Sequence, residues 1–410
     1  MAKAITNKNV IDNLVIWRMV EKIVPSPKGF KKALLFSKRL KIYFGIDPTS
    51  PELHLGHVPG MLFLRQMQKL GHETILLLGD FTAMIGDPTG KDTARKPLSR
   101  SEVLRNLRLY RGQLSRILDL SSKKNPTKIL FNSRWLAKLT LSQIINVASR
   151  FTVQQLLERD MFSRRIAAKR PIGLHEFIYP ILQGYDSVFM DVDVEVGGSD
   201  QLFNMLIGRK LLSDLKKKEK FVVALRLLIN PKTGKKMSKT EGNYIALTYE
   251  PERMYGAIMA LPDEFLFECF ELCTEVAQKK IDSFKKALKE KRIHPKELKA
   301  MLAQEIVTLV WGKRAAKKAK EEFERVFVKK EVPRVVKKII VKRGIAFRAI
   351  DFLFKYGLAK SKSEAKRLIE EGAVKVANKT EKDWKAVWRF FAETLIRIGK
   401  KKFLLVKVEK

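Results

Sequence analysis

Two cysteines, Cys269 and Cys273, are all that 410 residues contain. Four positions apart in a stretch that reads as helix, they are too few for a disulfide framework. With only five histidines besides, a Cys/His zinc cage is not expected, and no resident metal is assigned. No apolar run approaches the roughly 18 residues that a membrane span needs. The first twenty residues scatter Lys3, Lys8, Asp12 and Arg18 among apolar positions, unlike the continuous apolar core of a secretory leader. A cytoplasmic chain without a membrane partner is the expectation. Acidic residues are also scarce: 44 Asp and Glu stand against 82 Lys and Arg, for a formal charge of +38. A lysine-rich thermophile surface accounts for many charges but not for so lopsided a sign. From Glu271 onward the chain has 39 basic and 18 acidic residues. That excess favours a polyanionic partner, with nucleic acid ahead of an anionic membrane.

What is present is a globular composition, 45% hydrophobic, at a length that implies two or three domains. Short β-rich runs at 41–46, 74–78, 127–131, 191–196 and 221–228 alternate with helical spacing at 58–70, 100–118, 141–160, 174–187 and 200–212. Strands alternating with helices predict a Rossmann-like, doubly wound parallel sheet, with ligands at the carboxyl ends of its strands. Beyond Tyr249 the pattern is helical to about residue 330. Residues 333–343, with Pro333 and several lysines, read as a linker. The final segment, 344–410, reads as a small basic α+β module. Its Ser361-Lys-Ser-Glu364 forms a capping box ahead of a helix. Gly372 ends that helix, Val374–Val376 reads as a strand, and 395–408 as a hairpin turning at Gly399.

The chemistry concentrates in two distant segments. His54-Leu-Gly-His57 enters a helix behind the Pro-rich Asp47–Pro51 loop. Neutral imidazoles donate hydrogen bonds to phosphate oxygens, Gly56 lets a nucleotide approach the backbone, and a helix N-terminus favours anions. Lys236-Met-Ser-Lys239 lies in a Lys- and Gly-rich loop, where mobile ammonium groups can neutralise charge growing on a polyphosphate. Together they suggest one ATP site closed from two sides, without a side-chain nucleophile. Gly86-Asp-Pro-Thr-Gly-Lys91 is not a Walker A loop: its glycines are one residue too close, and Asp92 replaces the Ser/Thr that would meet Mg²⁺. It reads instead as a loop placing Lys91 and Arg95 near phosphate and Asp87 inside the pocket. In Gly197-Gly-Ser-Asp-Gln201 the glycines permit close approach of a sugar, and Asp200 can accept from a ribose hydroxyl. Tyr179, Gln183 and Asp186 fall at i, i+4 and i+7, one helix face, and suggest a pocket wall.

These motifs resemble class I aminoacyl-tRNA synthetases, and within them the bacterial-type tyrosyl-tRNA synthetases. The resemblance covers almost the whole chain and resumes in an S4-like RNA-binding module at 344–410. His54–His57 and Lys236–Thr240 match the family's two signatures, with Thr240 in place of the usual last Ser. The resemblance implies catalytic roles for His54, His57, Lys91, Arg95, Lys236 and Lys239. It implies a tyrosine site at Tyr43, Asp87, Tyr179, Gln183, Asp186 and Gln201, with Tyr43 and Asp186 at the phenol. ATP contacts would come from Gly45, Asp47, Thr49, Gly198 and Asp200 beside the two signatures. RNA contacts would come from Lys362, Lys366 and Arg367. Asn132–Trp135 matches another pocket-lining segment less tightly. Leu202-Phe203 departs from the Trp-Gly that many relatives carry there.

The implied activity is a tyrosine–tRNA ligase using ATP with Mg²⁺ brought in by the nucleotide, tRNA(Tyr) as partner, and a homodimer with its interface near 130–165. The implied domains are 1–228 (catalytic), 229–332 (the Lys236 loop and a helical anticodon-binding domain), the linker, and 344–410. Tryptophanyl-tRNA synthetase is the nearest rival. Small-metabolite adenylyltransferases and a non-catalytic RNA binder explain less of the chain.

Overall fold

The computed structural model describes residues 4–36, 39–89, 97–234, 236–237, 242, 244–328, 337–399 and 402–409. The chain divides into two compact units, Met1–Lys317 and Lys318–Lys410.

Among its described residues the first unit has six strands: β1 (Val20–Val24), β2 (Lys41–Ile46), β3 (Glu73–Leu78), β4 (Lys128–Phe131), β5 (Val194–Gly198) and β6 (Phe221–Leu225). They form one sheet in the order β1-β6-β5-β2-β3-β4. Strands β2 to β6 run parallel, as the alternating pattern predicts. Helices cover both faces, which is why β3 reads Thr-Ile-Leu-Leu-Leu rather than alternating apolar with polar. Strand order reverses between β2 and β5, the place where open α/β sheets open a ligand crevice.

The sequence reading omits β1. This edge strand pairs antiparallel with β6, and its Val-Glu-Lys-Ile-Val pattern, half exposed, is too short and too charged to stand out. The single helix expected over 141–160 is instead broken. Leu141–Ala148 and Val153–Leu157 are separate helices, because Thr152 is extended and its hydroxyl caps Gln155 N–H at 3.2 Å.

Two long helices, Leu174–Met190 and Leu202–Lys216, cross closely behind the sheet. A Cβ on Gly184 would stand 3.1 Å from Gly208 N, and one on Gly208 would stand 3.2 Å from Gly184 Cα. The crossing fixes which face of Leu174–Met190 turns toward the crevice. A buried, bidentate pair, Arg165 to Glu176 at 2.6 and 2.9 Å, anchors the start of that helix. Past Tyr249 the unit is helical, through Pro251–Met259, Leu266–Cys273, Gln278–Lys289 and Pro295–Trp311.

Among its described residues the second unit holds seven further strands. Five of them are β7 (Lys337–Lys342), β9 (Val374–Val376), β10 (Lys379–Glu381), β12 (Thr394–Ile398) and β13 (Lys402–Glu409), in one sheet ordered β10-β9-β12-β13-β7. The other two, β8 (Ala346–Arg348) and β11 (Val387–Arg389), pair with each other. The expected hairpin is β12–β13, and Gly399 takes φ +56°. The segment read as a linker, 333–343, needs correction. Lys337–Lys342 is a strand in parallel register with β13, and a parallel partner leaves no hairpin turn in the sequence to betray it. The capping box is also shared differently. Ser361 caps Glu364 N–H at 3.1 Å, but the Glu364 carboxylate takes the N–H of Lys360. Phe352, Ile369, Trp388, Ile396 and Leu404 are among the side chains packed in the core.

Candidate active site

A cavity of about 670 Å³ opens at the carboxyl ends of β2 and β5, lined by Gly45, Asp47, Gly197 and Gly198 among others. Every candidate tyrosine- or ATP-site residue that the structure describes lines it. Lys91, Arg95 and Lys239 lie outside the described residues.

At the mouth, His54 and His57 flank a short 3₁₀ turn, Leu55–His57, that leads into the helix Val58–Lys69. Gly56 N–H donates to His54 Nδ1 at 3.1 Å, which places the ring proton of a neutral His54 on Nε2. His57 Nδ1 accepts from His54 N–H at 3.2 Å. The rings lie 4.2 Å apart. Burial, helped by the neighbouring His57 and Lys236, lowers the His54 pKa to about 2. Burial lowers that of His57 to about 4. Both are therefore neutral near pH 7, as hydrogen-bond donors to a polyphosphate should be.

The second signature meets the first here. Lys236 Nζ donates to Asp200 Oδ2 at 2.7 Å, and Met237 is buried, its N–H bonded to Leu228 O at 2.8 Å. The chain after this loop is tied to the histidine segment by Leu55 N–H to Ile245 O at 3.0 Å and Leu247 N–H to Leu53 O at 2.8 Å. Glu52 adds side-chain ties, accepting from Tyr244 Oη at 3.0 Å and Thr248 Oγ1 at 2.6 Å. Sequence reasoning overlooks Glu52, since its partners lie almost 200 positions away.

Deeper in, Asp47 accepts from Tyr179 Oη at 2.9 Å and Thr82 Oγ1 at 2.8 Å. A Cβ on Gly79 would lie 1.9 Å from Asp47 Oδ1, so only glycine leaves room for that carboxylate. Asp87 accepts from Gln201 Nε2 at 2.7 Å and from Thr89 Oγ1 at 2.6 Å. Thr89 Oγ1 in turn takes a bond from Arg159 at 2.6 Å. The Arg159 guanidinium also lies over Phe203, 5.0 Å from the ring centre, which is how the departure at 202–203 is accommodated.

The blind end belongs to Asp186 and Tyr43. Asp186 is 2% exposed and accepts from Trp135 Nε1 at 2.8 Å and Asn132 Nδ2 at 3.2 Å. Burial pushes its pKa well up, and these two donors oppose that. The Tyr43 hydroxyl lies 3.0 Å from Ser187 Oγ. Glu195 lines the cavity here, with Ser187, Lys220 and Asn204 buried behind the lining, and none of the four carries a motif of its own. The Asp-Val-Asp-Val-Glu-Val run that contains Glu195 reads only as an alternating strand.

In the second unit, Lys362, Lys366 and Arg367 lie on the exposed helix Lys362–Glu370. Each has an acidic neighbour: Asp351 at 2.7 Å, Glu370 at 3.8 Å and Glu371 at 3.7 Å respectively. Lys366 also stands 4.5 Å over the Trp384 ring.

Comparison with known proteins agrees with this geometry. Residues 37–328 match the model of class I tRNA synthetases (W and Y), and residues 347–383 match the S4 domain. The tyrosine–tRNA ligase of Carboxydothermus hydrogenoformans is 40% identical over 405 residues, 97% of each chain. The chain belongs to the tyrosine–tRNA ligases. The ligase of Thermotoga maritima is 39% identical, over 97% of this chain and 95% of its own. Two solved members share the fold. A C-terminally truncated mitochondrial enzyme of Aspergillus nidulans aligns with TM-score 0.65 at 20% identity, over 78% of this chain and 99% of its own. That of Archaeoglobus fulgidus, complexed with L-tyrosine, aligns with TM-score 0.59 at 22% identity, over 76% and 99%.

Proposed function

We propose that this ligase activates tyrosine with ATP and passes the tyrosyl group to tRNA(Tyr). In the first step a tyrosine carboxylate oxygen attacks the ATP α-phosphorus and pyrophosphate leaves, giving tyrosyl-adenylate. In the second, a terminal ribose hydroxyl of the tRNA attacks the tyrosyl carbonyl, loses its proton, and AMP leaves. The carboxylate is already a nucleophile, so the protein's work is alignment and charge stabilisation. His54 and His57 face the phosphates as neutral donors, with Lys91, Arg95, Lys236 and Lys239 as cations. Asp200 and Gly198 receive the ribose, and Gly45, Asp47 and Thr49 border the nucleotide. Asp87, Tyr179 and Gln183 hold the tyrosine ammonium, Gln201 contacts the substrate beside them, and Tyr43 and Asp186 hold its phenol. Mg²⁺ enters with the triphosphate. Among the described residues no group of three or more His, Cys, Asp or Glu is placed to hold a metal ion.

The observation that carries this reading is Asp186, a buried carboxyl in a cavity also lined by His54, His57 and Lys236. A phenol satisfies it; an indole, whose N–H sits differently on a larger ring, is the alternative. Amino-acid-dependent ATP–pyrophosphate exchange with tyrosine, tryptophan and phenylalanine in parallel tests it. Exchange with tyrosine alone is expected. Exchange with tryptophan instead would overturn the substrate, and silence with all three would overturn the reaction.

A homodimer is part of the proposal. Leu141, Ile145, Val153, Ile166, Leu174 and Phe189 are large apolar side chains, each more than half exposed, within 141–189. Clustered exposed apolar groups of this kind mark protein interfaces. Sedimentation of the full chain should give twice the 47.2 kDa chain mass. Lys362, Lys366 and Arg367 are proposed to meet the tRNA backbone, and the ligase to work in the cytoplasm.

A further inference from the structure

Behind the amino-acid pocket lies a fully buried ion pair that none of the roles above uses. Lys220, 1% exposed, immediately precedes β6, and Glu195, 2% exposed, lies on β5 opposite Tyr43 of β2. Lys220 Nζ donates to a Glu195 carboxylate oxygen and, at 2.6 Å, to Ser187 Oγ. Taking two charges out of water is costly and often no better for stability than an apolar pair. The location of this pair is therefore more informative than its strength.

Hydrogen-bond polarity can be followed outward from it in both directions. Ser187 has one proton and two lone pairs. Lys220 occupies one lone pair, and the proton goes to Glu195 Oε2 at 3.2 Å. The Tyr43 hydroxyl proton then goes inward, to the remaining Ser187 lone pair across 3.0 Å or to the Glu195 carboxylate. Tyr43 then turns its oxygen lone pairs to the pocket beside Asp186, so the blind end presents acceptors and calls for a ligand that donates. On the other side, Glu195 Oε1 can only accept, so Gln183 gives it Nε2 at 3.3 Å and keeps Oε1 for Asn204 Nδ2 at 3.0 Å. Asn204 Nδ2 also donates to Gln201 Oε1 at 2.9 Å, which leaves Gln201 Nε2 to donate to Asp87 at 2.7 Å. The amide oxygens of Gln183 and Gln201 are thereby fixed on Asn204 Nδ2, and each keeps one further lone pair for a donor in the pocket.

We propose that Lys220 is a positioning residue for tyrosine recognition: by pairing with Glu195 it sets the direction of hydrogen bonding at both ends of the amino-acid pocket. This rests on the tyrosine-activating reading above and deepens it.

The test compares wild type with Lys220→Met, the double variant Lys220→Met/Glu195→Gln, and Ser187→Ala, using pyrophosphate exchange and thermal melting of the full chain. The double variant removes both charges, so no buried carboxylate is left unpaired. It should melt near wild type, yet the amide introduced at position 195 can donate as well as accept and no longer fixes Gln183 or Ser187. We expect KM for tyrosine to rise about tenfold or more, KM for ATP to stay unchanged, and the preference for tyrosine over phenylalanine to shrink about tenfold. Wild-type tyrosine KM and preference in the double variant would make the pair a purely structural element and overturn the proposal. If the Lys220 variants fail to fold, Ser187→Ala decides. Loss of the Ser187 acceptor for Tyr43 should narrow the tyrosine preference without moving KM for ATP, and an unchanged preference would overturn the proposal. Absence of tyrosine-dependent exchange in wild type would instead defeat the underlying reading.

Discussion

The amino-acid pocket and the basic helix of the C-terminal unit both rely on charged and polar side chains, but in opposite physical regimes. In the pocket, Asp47, Asp87, Asp186 and Glu195 each accept hydrogen bonds from neighbouring protein groups, in a space where an unpaired group is expensive. On the helix Lys362–Glu370 the cations touch carboxylates at the surface, where an ion pair contributes about 0–1 kcal/mol. The first arrangement is ordered before any ligand arrives and recognises one shape. The second exchanges carboxylate for phosphate at little cost and recognises charge. Substitutions should therefore have large and ligand-specific effects in the pocket, and small, salt-dependent ones on the helix.

The sharpest break would come at the blind end. Asp186→Ala is expected to lower kcat/KM for tyrosine by about a hundredfold or more, since Trp135 and Asn132 lose their acceptor along with the ligand. KM for ATP should hardly move. Equal damage to both substrates would mean that the pocket does not end at Asp186. At the mouth, His57→Ala should slow adenylate formation by about a hundredfold at saturating substrate while tyrosine affinity is kept, because the lost contact forms on the phosphates. Rapid-quench measurement of adenylate formation checks this, and wild-type kinetics would remove His57 from the reaction.

The same contrast governs how much could be read from the sequence. Motif residues in the pocket are recognisable because their chemistry needs a particular spacing: His54 and His57 around one turn, or Tyr179, Gln183 and Asp186 down one helix face. Their supports are not. Ser187, Glu195 and Lys220 meet only after β5 and β6 pair beside β2, and nothing near Lys220 in the sequence separates it from the lysines at 216–218. The fold repeats this pattern. Strands β2, β3, β4 and β6 show as apolar runs and β5 as an alternating one, whereas β1 and β7 are charged edge strands whose pairing with β6 and β13 is long-range. In the C-terminal unit the excess of lysine announces a polyanion but not which lysines touch it.

On the helix itself, replacing Lys362, Lys366 and Arg367 together by alanine should weaken tRNA charging by about tenfold near 0.1 M salt. The slope of log affinity against log salt should fall by about two to three, one increment per lost phosphate contact. Pyrophosphate exchange should be unchanged. A matching loss in exchange would mean that these side chains act through folding and not through RNA, and would blur the contrast between the two regions.

A milder comparison uses pH. All five histidines lie before Lys317, and three, the buried His72 and the half-buried His54 and His57, have depressed pKa values: His54 to about 2, His57 and His72 to about 4, each mainly through desolvation. An unfolded histidine takes up its proton near pH 6.5, whereas these stay neutral in the folded state well below that. Between pH 6.5 and about 4 the unfolded chain therefore binds more protons, and the folded state loses stability as pH falls through that window. The cost falls on the first unit alone, for the second has no histidine to titrate. Hydrogen exchange, corrected for intrinsic rates, should show protection in residues 1–317 dropping between pH 7.5 and 5.5 by more than in 318–410. The exchange reaction with tyrosine should meanwhile show no inflection near pH 6.5 that disappears on replacing His57. Such an inflection would mean that His57 is charged in the working enzyme and binds phosphate as a cation, which would move the mouth of the pocket into the electrostatic regime of the helix.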